Sequence, residues 1–465
     1  MSASPDFIAA PAAEVLLVSC YELGHEPLGL VVPAGLLARA GIRARLLDLA
    51  VEEFDADAVR GASLVGISVP MYTALRLGMR VARRVRAVNP RAHICFYGLY
   101  AGLNRDHLLG DLADSCLGAE FELPLLGLAR RILSAPQSDP RTMVDPTDAD
   151  PSLRSPGRDV SLRPARDALS HRTHYAHLAL GDARHEVGYL QTTRGCKHLC
   201  THCPLPPAYA GTFYAIPEQD VLADIDTLVA RGARHITFAD PDFLNGPGHA
   251  LRITRAMAAR HPGLTFDYTA KIEHLLRSPE IVDELQTLGS VFVVSALESM
   301  NNEVLRHLHK GHTRADALAV IRRFRARGLA LRPSLVPFTP WETRASFTEL
   351  LDTVASEGLV DAIDAVQYSI RLLLPAGSLL LDDPTVTCLL DGFDPAAPGH
   401  RWHHPDPEMD ALQASIARIA EESGRNEIGA RAAFASVCDR VSPGWSPTAT
   451  RAPGPAPRLT ESWFC

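Results

Sequence analysis

The stretch RGCKHLCTHCP, residues 194–204, places three of the chain's nine cysteines, Cys196, Cys200 and Cys203, within eight positions. Three thiols sharing one short loop with a glycine and two histidines are hard to bury as ordinary core, and in a reducing compartment such a cluster reads as metal-binding or catalytic. The preceding VGYLQT, 187–192, reads as a strand. The cysteines therefore stand at a strand's carboxyl end, where parallel α/β sheets bind their ligands.

Beyond this loop the βα rhythm continues. Pro217 fits the first turn of a helix whose apolar face is Val221, Leu222, Ile225, Leu228 and Val229, closed by Gly232. Strands follow as HITFA, LTFDY, SVFVVS, LRPSLV and AVQYSIRLLL. Between them, Ser278 and Pro279 open a helix that Gly289 stops, and Thr313 with Asp316 form a capping-box pattern before a helix that Gly328 stops. Six strands, each but the last followed by a helical crossover, predict a partial (βα)6 barrel of TIM type over residues 184–380.

Upstream, EVLLVSC, ARLLDL, SLVGISVP and HICFYG alternate with helical segments and predict a small doubly wound α/β domain over residues 1–135. Six prolines between Pro136 and Pro164 mark a linker, 136–183. Downstream, 381–465 reads as an extension: a His- and Pro-rich loop, HRWHHPDPEMD, then helices near 406–438 and a Pro-rich, extended tail. His25, His400, His403 and His404 read as solvated, and Cys388 and Cys438 as buried apolar residues.

Composition narrows the classes. With 46% hydrophobic and 22% charged residues the chain is globular. A net charge of -8 gives no footprint for a nucleic acid, and Arg-rich runs such as RVARRVRAVNPR have helical spacing. No basic, apolar leader opens the sequence and no run of 18 apolar residues occurs, so the expectation is a cytoplasmic protein without a membrane partner.

Three readings of the loop stand side by side. C-x3-C-x2-C can hold three irons of a [4Fe-4S] cluster, leaving the fourth open to a small molecule. Zinc could take His198 or His202 as a fourth ligand, in a non-catalytic binding protein, although structural zinc sites draw paired ligands from two segments and no second pair is present. The third reading is a structural cysteine group.

The motif after a first strand, preceded by TTRG and followed by the six-strand pattern, resembles the radical S-adenosylmethionine (SAM) superfamily. The resemblance implies that Cys196, Cys200 and Cys203 ligate a [4Fe-4S] cluster whose open iron chelates SAM, in an enzyme that cleaves SAM reductively. FADPDFLN, 238–245, resembles the end of the second strand, with Asp240 and Asp242 as SAM contacts, although the Gly-Gly-Glu of many relatives is missing. SALESMNNEVL and KGHT, within 295–313, resemble the fourth strand and its loop, with Glu298 as a contact; Ser334 and Arg371 stand similarly on the fifth and sixth strands.

An α/β domain ahead of such a core resembles the cobalamin-binding subclass, which makes cobalamin a further candidate cofactor, although SCYELGHEPLGL lacks the Asp-x-His-x-x-Gly signature. PRLTESWFC resembles a subgroup whose tail ends in Cys-Sec-Ala-Glu-Pro or Cys-Cys-Ala-Glu-Pro, so that Cys465 would mark truncation at a selenocysteine codon. These likenesses imply a transferase acting on a small molecule of natural-product or organoarsenical type. Its chemistry would be methyl transfer through cobalamin or transfer of SAM's 3-amino-3-carboxypropyl group, with an electron donor such as flavodoxin or ferredoxin as partner.

Overall fold

The computed structural model describes residues 15–134, 161–169, 174–445, 447 and 456–460, which fall into two units. The last residue, Cys465, lies outside the described residues, and with it the expectation about the tail's continuation.

The first unit is the α/β domain. Strands β1 (Val15–Ser19), β2 (Ala44–Asp48), β3 (Leu64–Ser68), β4 (His93–Tyr97) and β5 (Ser115–Leu117) lie in the order β2-β1-β3-β4-β5, all parallel. β1, β3 and β4 are buried along their whole length, which is why they read as runs of apolar residues rather than as alternations. The order reverses between β1 and β3, and the chain there is tightly packed. Glu22 accepts the N–H of Leu28, Tyr97 Oη donates to the Gly29 carbonyl at 2.7 Å, and a Cβ on Gly29 would stand 2.1 Å from Ser68 Oγ. Burial pushes the Glu22 carboxyl up to about 8.

The second unit is a curled sheet wrapped by helices. Its strands are β6 (His177–Leu180), β7 (Ala183–Leu190), β10 (His235–Phe238), β11 (Thr265–Thr269), β12 (Ser290–Glu298), β13 (Ala330–Leu335) and β16 (Arg458–Leu459). They are arranged β13-β12-β11-β10-β7-β6-β16, and the five from β7 to β13 are parallel. Ile236, Phe266, Val293 and Leu331 of the strands pack with Ile225, Ile253, Val320 and Leu351 of the crossover helices in one core. The Thr313–Asp316 capping box forms as its sequence predicts, and Gly328 ends that helix with φ +66°.

Several expectations are corrected. The sixth strand does not form: AVQYSIRLLL makes a 3-10 turn, Ala365–Ser369, and one bridge, Phe338 to Arg371. The side-chain amide oxygen of Gln367 accepts the Leu335 N–H at 2.8 Å, a bond that a sixth strand's backbone would otherwise make. The segment read as linker up to residue 183 contains β6, which pairs antiparallel with β7. Of the tail, the described Arg458–Leu459 form a strand: β16 pairs with β6, and Thr460 N–H donates to the His177 carbonyl.

The extension packs on the barrel. A hairpin of β14 (Leu390–Asp394) and β15 (Gly399–Trp402) precedes helices Pro407–Arg425 and Ala430–Val441, whose Met409, Ile416, Phe434 and Val437 join the barrel core. Cys438 is buried there as expected, but Cys388 is exposed, just past a one-turn helix. His404 is buried too, with Nε2 at the Glu342 carbonyl, because the helix start at Asp406 and Asp410 folds the loop inward.

Candidate functional site

The site is built at the carboxyl end of the curled sheet. β7 stops at Leu190, and Asp240, just past β10, anchors the chain beyond it: the carboxylate accepts from Thr192 N at 2.7 Å and from both Thr192 Oγ1 and Thr193 Oγ1 at 2.6 Å. Burial pushes this carboxyl up to about 6. Asp240 is thus engaged in fixing the strand end, and its oxygens face the threonines.

From there the chain forms a short ribbon that sequence reading missed, β8 (Thr193–Gly195) against β9 (Phe213–Ala215), with the three cysteines in its connection. Gly195 has φ +76°, and a Cβ on it would meet Thr212 O at 2.5 Å and the Tyr209 ring at 2.7 Å. Only glycine fits. Lys197 N–H donates to Asn245 Oδ1, Cys203 N–H to the Cys200 carbonyl, and Thr201 to the carbonyls of Leu308 and His307 beyond β12. The loop is therefore clamped from the second and fourth parallel strands.

All eight described cysteines are free. Cys196 and Cys200 are buried and Cys203 half-buried; burial, then the neighbouring cysteines, push the Cys203 thiol up to about 12, and burial raises Cys196 as well. Such thiols become thiolates when a soft cation takes the proton's place.

Around them stand buried polar groups. Glu298, at the end of β12 with φ +65°, receives Lys310 Nζ at 2.9 Å and His202 Nε2 at 3.3 Å. Burial works against its charge, but Lys310 and His202 hold the carboxyl well below its usual range. Lys310 is itself raised: burial opposes its charge, and Glu298 and Cys200 outweigh that. On the other flank Asp242 caps the turn at Leu244 and meets His274 Nδ1 at 3.0 Å, and His274 Nε2 lies 3.2 Å from His198 Nε2. Asp242, His274 and His198 lie close enough to share a metal ion, yet as placed they form a hydrogen-bonded chain that ties the cysteine loop to β10 and to the helix Ile272–Arg277.

The remaining candidates are placed differently. Ser334 is half-buried on β13, alternating with Leu331 and Leu335, which face the core. Arg371 lies 3.7 Å over the Trp402 ring and donates to Asp410 Oδ1 and the Trp402 carbonyl, so its guanidinium holds the extension. His25, expected on the surface, is buried and stacked on Tyr189 at 4.1 Å.

Several buried polar atoms lack a protein partner: Asn245 Nδ2, His202 Nδ1, Tyr268 Oη and both ring nitrogens of His312. Burial, then Lys310, lower His312 to about 4, so the ring is neutral at pH 7. Orphaned donors and acceptors beside three free thiols are what a cluster and a polar, zwitterionic ligand would satisfy. The residues fit a [4Fe-4S] cluster and SAM. The zinc reading gains no support, because His198 and His202 face His274 and Glu298. Asn245, Lys310, His274 and His312 were missed as site residues; KGHT next to Glu298 was the signal available for two of them.

Residues 190–354 match the model of the Radical SAM superfamily. This is a radical SAM domain. The chain is 27% identical over 276 residues to a tRNA-2-methylthio-N(6)-dimethylallyladenosine synthase of Parafrankia sp., covering 53% of this chain and 51% of that protein. It is 23% identical over 197 residues to the ribosomal protein uS12 methylthiotransferase RimO of Clostridium botulinum, covering 39% and 43%. The chain thus spans about half the length of the curated relatives it matches. Among solved structures, OxsB, a cobalamin-dependent SAM radical enzyme with aqua-cobalamin and SAM bound, superposes with a TM-score of 0.62 at 13% identity, over 88% of this chain and 67% of that one. The radical SAM methyltransferase TsrM of Kitasatospora setae, with cobalamin and a [4Fe-4S] cluster, gives 0.56 at 17% identity, over 73% and 72%. The likeness to these structures shows the fold, an α/β domain with a half-barrel, and residues 190–354 of that half-barrel are the part that matches the Radical SAM superfamily. Among the described residues no helix is long and apolar enough to cross a membrane.

Proposed function

We propose that this protein is a radical SAM transferase that modifies a small molecule, with Cys196, Cys200 and Cys203 as cluster ligands. The observation behind this reading is the set of three free, clamped thiols with orphaned polar atoms around them. The cluster and SAM, when bound, supply reductive cleavage of a sulfur–carbon bond. The chain's part is to bind and orient. Glu298 is kept charged by Lys310, Asn245 and neutral His312 offer unused hydrogen-bonding atoms, and Asp242 with His274 and His198 steadies the loop. Asp240 acts through Thr192 and Thr193, and Arg371 through Trp402; Ser334 remains a candidate contact from β13. The substrate class we infer is a natural product or an organoarsenical, and SAM's 3-amino-3-carboxypropyl is one of two candidates for the transferred group, on the resemblance of the tail PRLTESWFC.

Cobalamin-dependent methyl transfer is the second reading, favoured by the parallel β2-β1-β3-β4-β5 domain and its likeness in fold to TsrM and OxsB. Its corrinoid would be held without a histidine ligand. One experiment separates the two: anaerobic reconstitution, a strong reductant, added hydroxocobalamin and analysis of the SAM products. Methylthioadenosine supports aminocarboxypropyl transfer; 5'-deoxyadenosine with S-adenosylhomocysteine supports methylation. Products that persist in Cys200→Ala, or no cleavage by the wild type, would sink the radical reading.

A further inference from the structure

Reductive cleavage consumes an electron that no residue of the chain supplies. With SAM and substrate held at the carboxyl end of the sheet, as the proposed function has it, an electron would reach the cysteine loop from its solvent-facing side. That side has an unusual surface. Among the described residues five large apolar side chains are exposed, and the most exposed, Leu199 at 52%, lies between Cys196 and Cys200. Tyr214, at 42%, is on the same ribbon, paired in register with Arg194; a Cβ on the intervening Gly211 would touch Leu199 at 3.4 Å. Isolated exposed leucines are ordinary. Here two of five flank one loop.

Charge adds a second observation. From Val187 to Pro217 there is no Asp or Glu, although the chain has 54 acidic residues and a net charge of -8. The segment's cations are Arg194 and Lys197, and Lys197 is exposed with its ammonium 4.9 Å from the Phe213 ring centroid. Glu273, 3.8 Å from His198, is offset by Lys271 and Arg277 at 3.5 and 2.8 Å. We infer that Lys197, Leu199 and Tyr214 form the docking surface for an acidic, low-potential electron-carrier protein of the flavodoxin type. A small apolar patch beside a lone cation suits the small interface of a transient redox encounter, with charge setting the association rate.

The inference rests on the radical SAM reading. In the step, one electron leaves the carrier's anionic flavin hydroquinone, which becomes the neutral semiquinone, and enters the oxidised group held by the three cysteines. No proton moves and no bond breaks.

The test uses the full chain with its cluster reconstituted, and flavodoxin hydroquinone as probe, measuring affinity, its salt dependence and the rate of cluster bleaching, with dithionite as a reductant that needs no docking. Leu199→Ser and Tyr214→Ser should weaken flavodoxin binding and slow bleaching while dithionite-driven SAM cleavage stays unchanged. Lys197→Glu should weaken binding roughly tenfold at low salt and flatten the salt dependence. Wild-type affinity and bleaching rate in all three variants would overturn the surface. If Leu199→Ser loses iron, the other two variants decide alone. A wild type that cleaves no SAM with dithionite would end the radical reading, whereas the flavodoxin titration would still decide whether this face binds the carrier.

Discussion

At Glu298 a left-handed backbone, φ +65°, and a buried charge coincide. A non-glycine residue held there costs about 1–3 kcal/mol, and such strain gathers at functional sites. Replacing its partner by Lys310→Met would leave the carboxylate buried with His202 alone, and should cost about 3–5 kcal/mol in urea unfolding at pH 7. A smaller loss in Lys310→Arg would show that charge, more than shape, is at stake. The pH dependence has two opposite parts. Glu298 is depressed, so its contribution is complete above its ordinary value of 4.5 and is lost as pH falls below it. Glu22, Glu342 and Asp240 are raised, mainly by burial, to about 8, 7 and 6. The native state holds their protons longer than the unfolded chain, so these groups make stability fall as pH rises from about 4 to 8. Thermal melts across that window should show the decline, and Glu22→Gln should make it shallower; identical slopes would mean that Glu22 contributes nothing. The three cysteines were legible in the sequence because their spacing is local. Asn245 was not, because what marks it is a missing partner inside a folded barrel.

Ribbons and turns follow the same division. The parallel strands and the Thr313 cap were readable from period and end signals, whereas the sixth strand was misread because Gln367 satisfies Leu335 from a side chain. The β8–β9 ribbon escaped because three-residue strands leave no period to detect. Gly195→Ala tests that ribbon. Its Cβ would stand 2.5 Å from a backbone oxygen, so iron per chain after reconstitution should fall sharply. Gly211→Ala, with a similar φ of +79° but its nearest contact at 3.4 Å, should lose much less iron. Equal iron in both variants would show that the close approach at Gly195 does not hold the loop.

For the molecule as a whole, the order of α/β domain, half-barrel and helical extension was legible, because each has its own rhythm. The partner of the tail was not, since β16 joins β6 across a separation of 283 residues at His177 and Thr460. Truncation after Pro457 should lower the melting temperature and raise light scattering on incubation, because it exposes the edge of β6. A truncated chain that melts and scatters like the full one would show the pairing to be incidental.

That pairing also sets a schedule for biosynthesis. β6 emerges from the ribosome long before the residues that cover it, and at roughly 5–20 amino acids per second the wait is about 14–57 s. Throughout that interval a nascent chain presents a bare strand margin to its neighbours on the same message. The yield of this protein should therefore depend on elongation speed and on the chaperones that shield the half-made sheet.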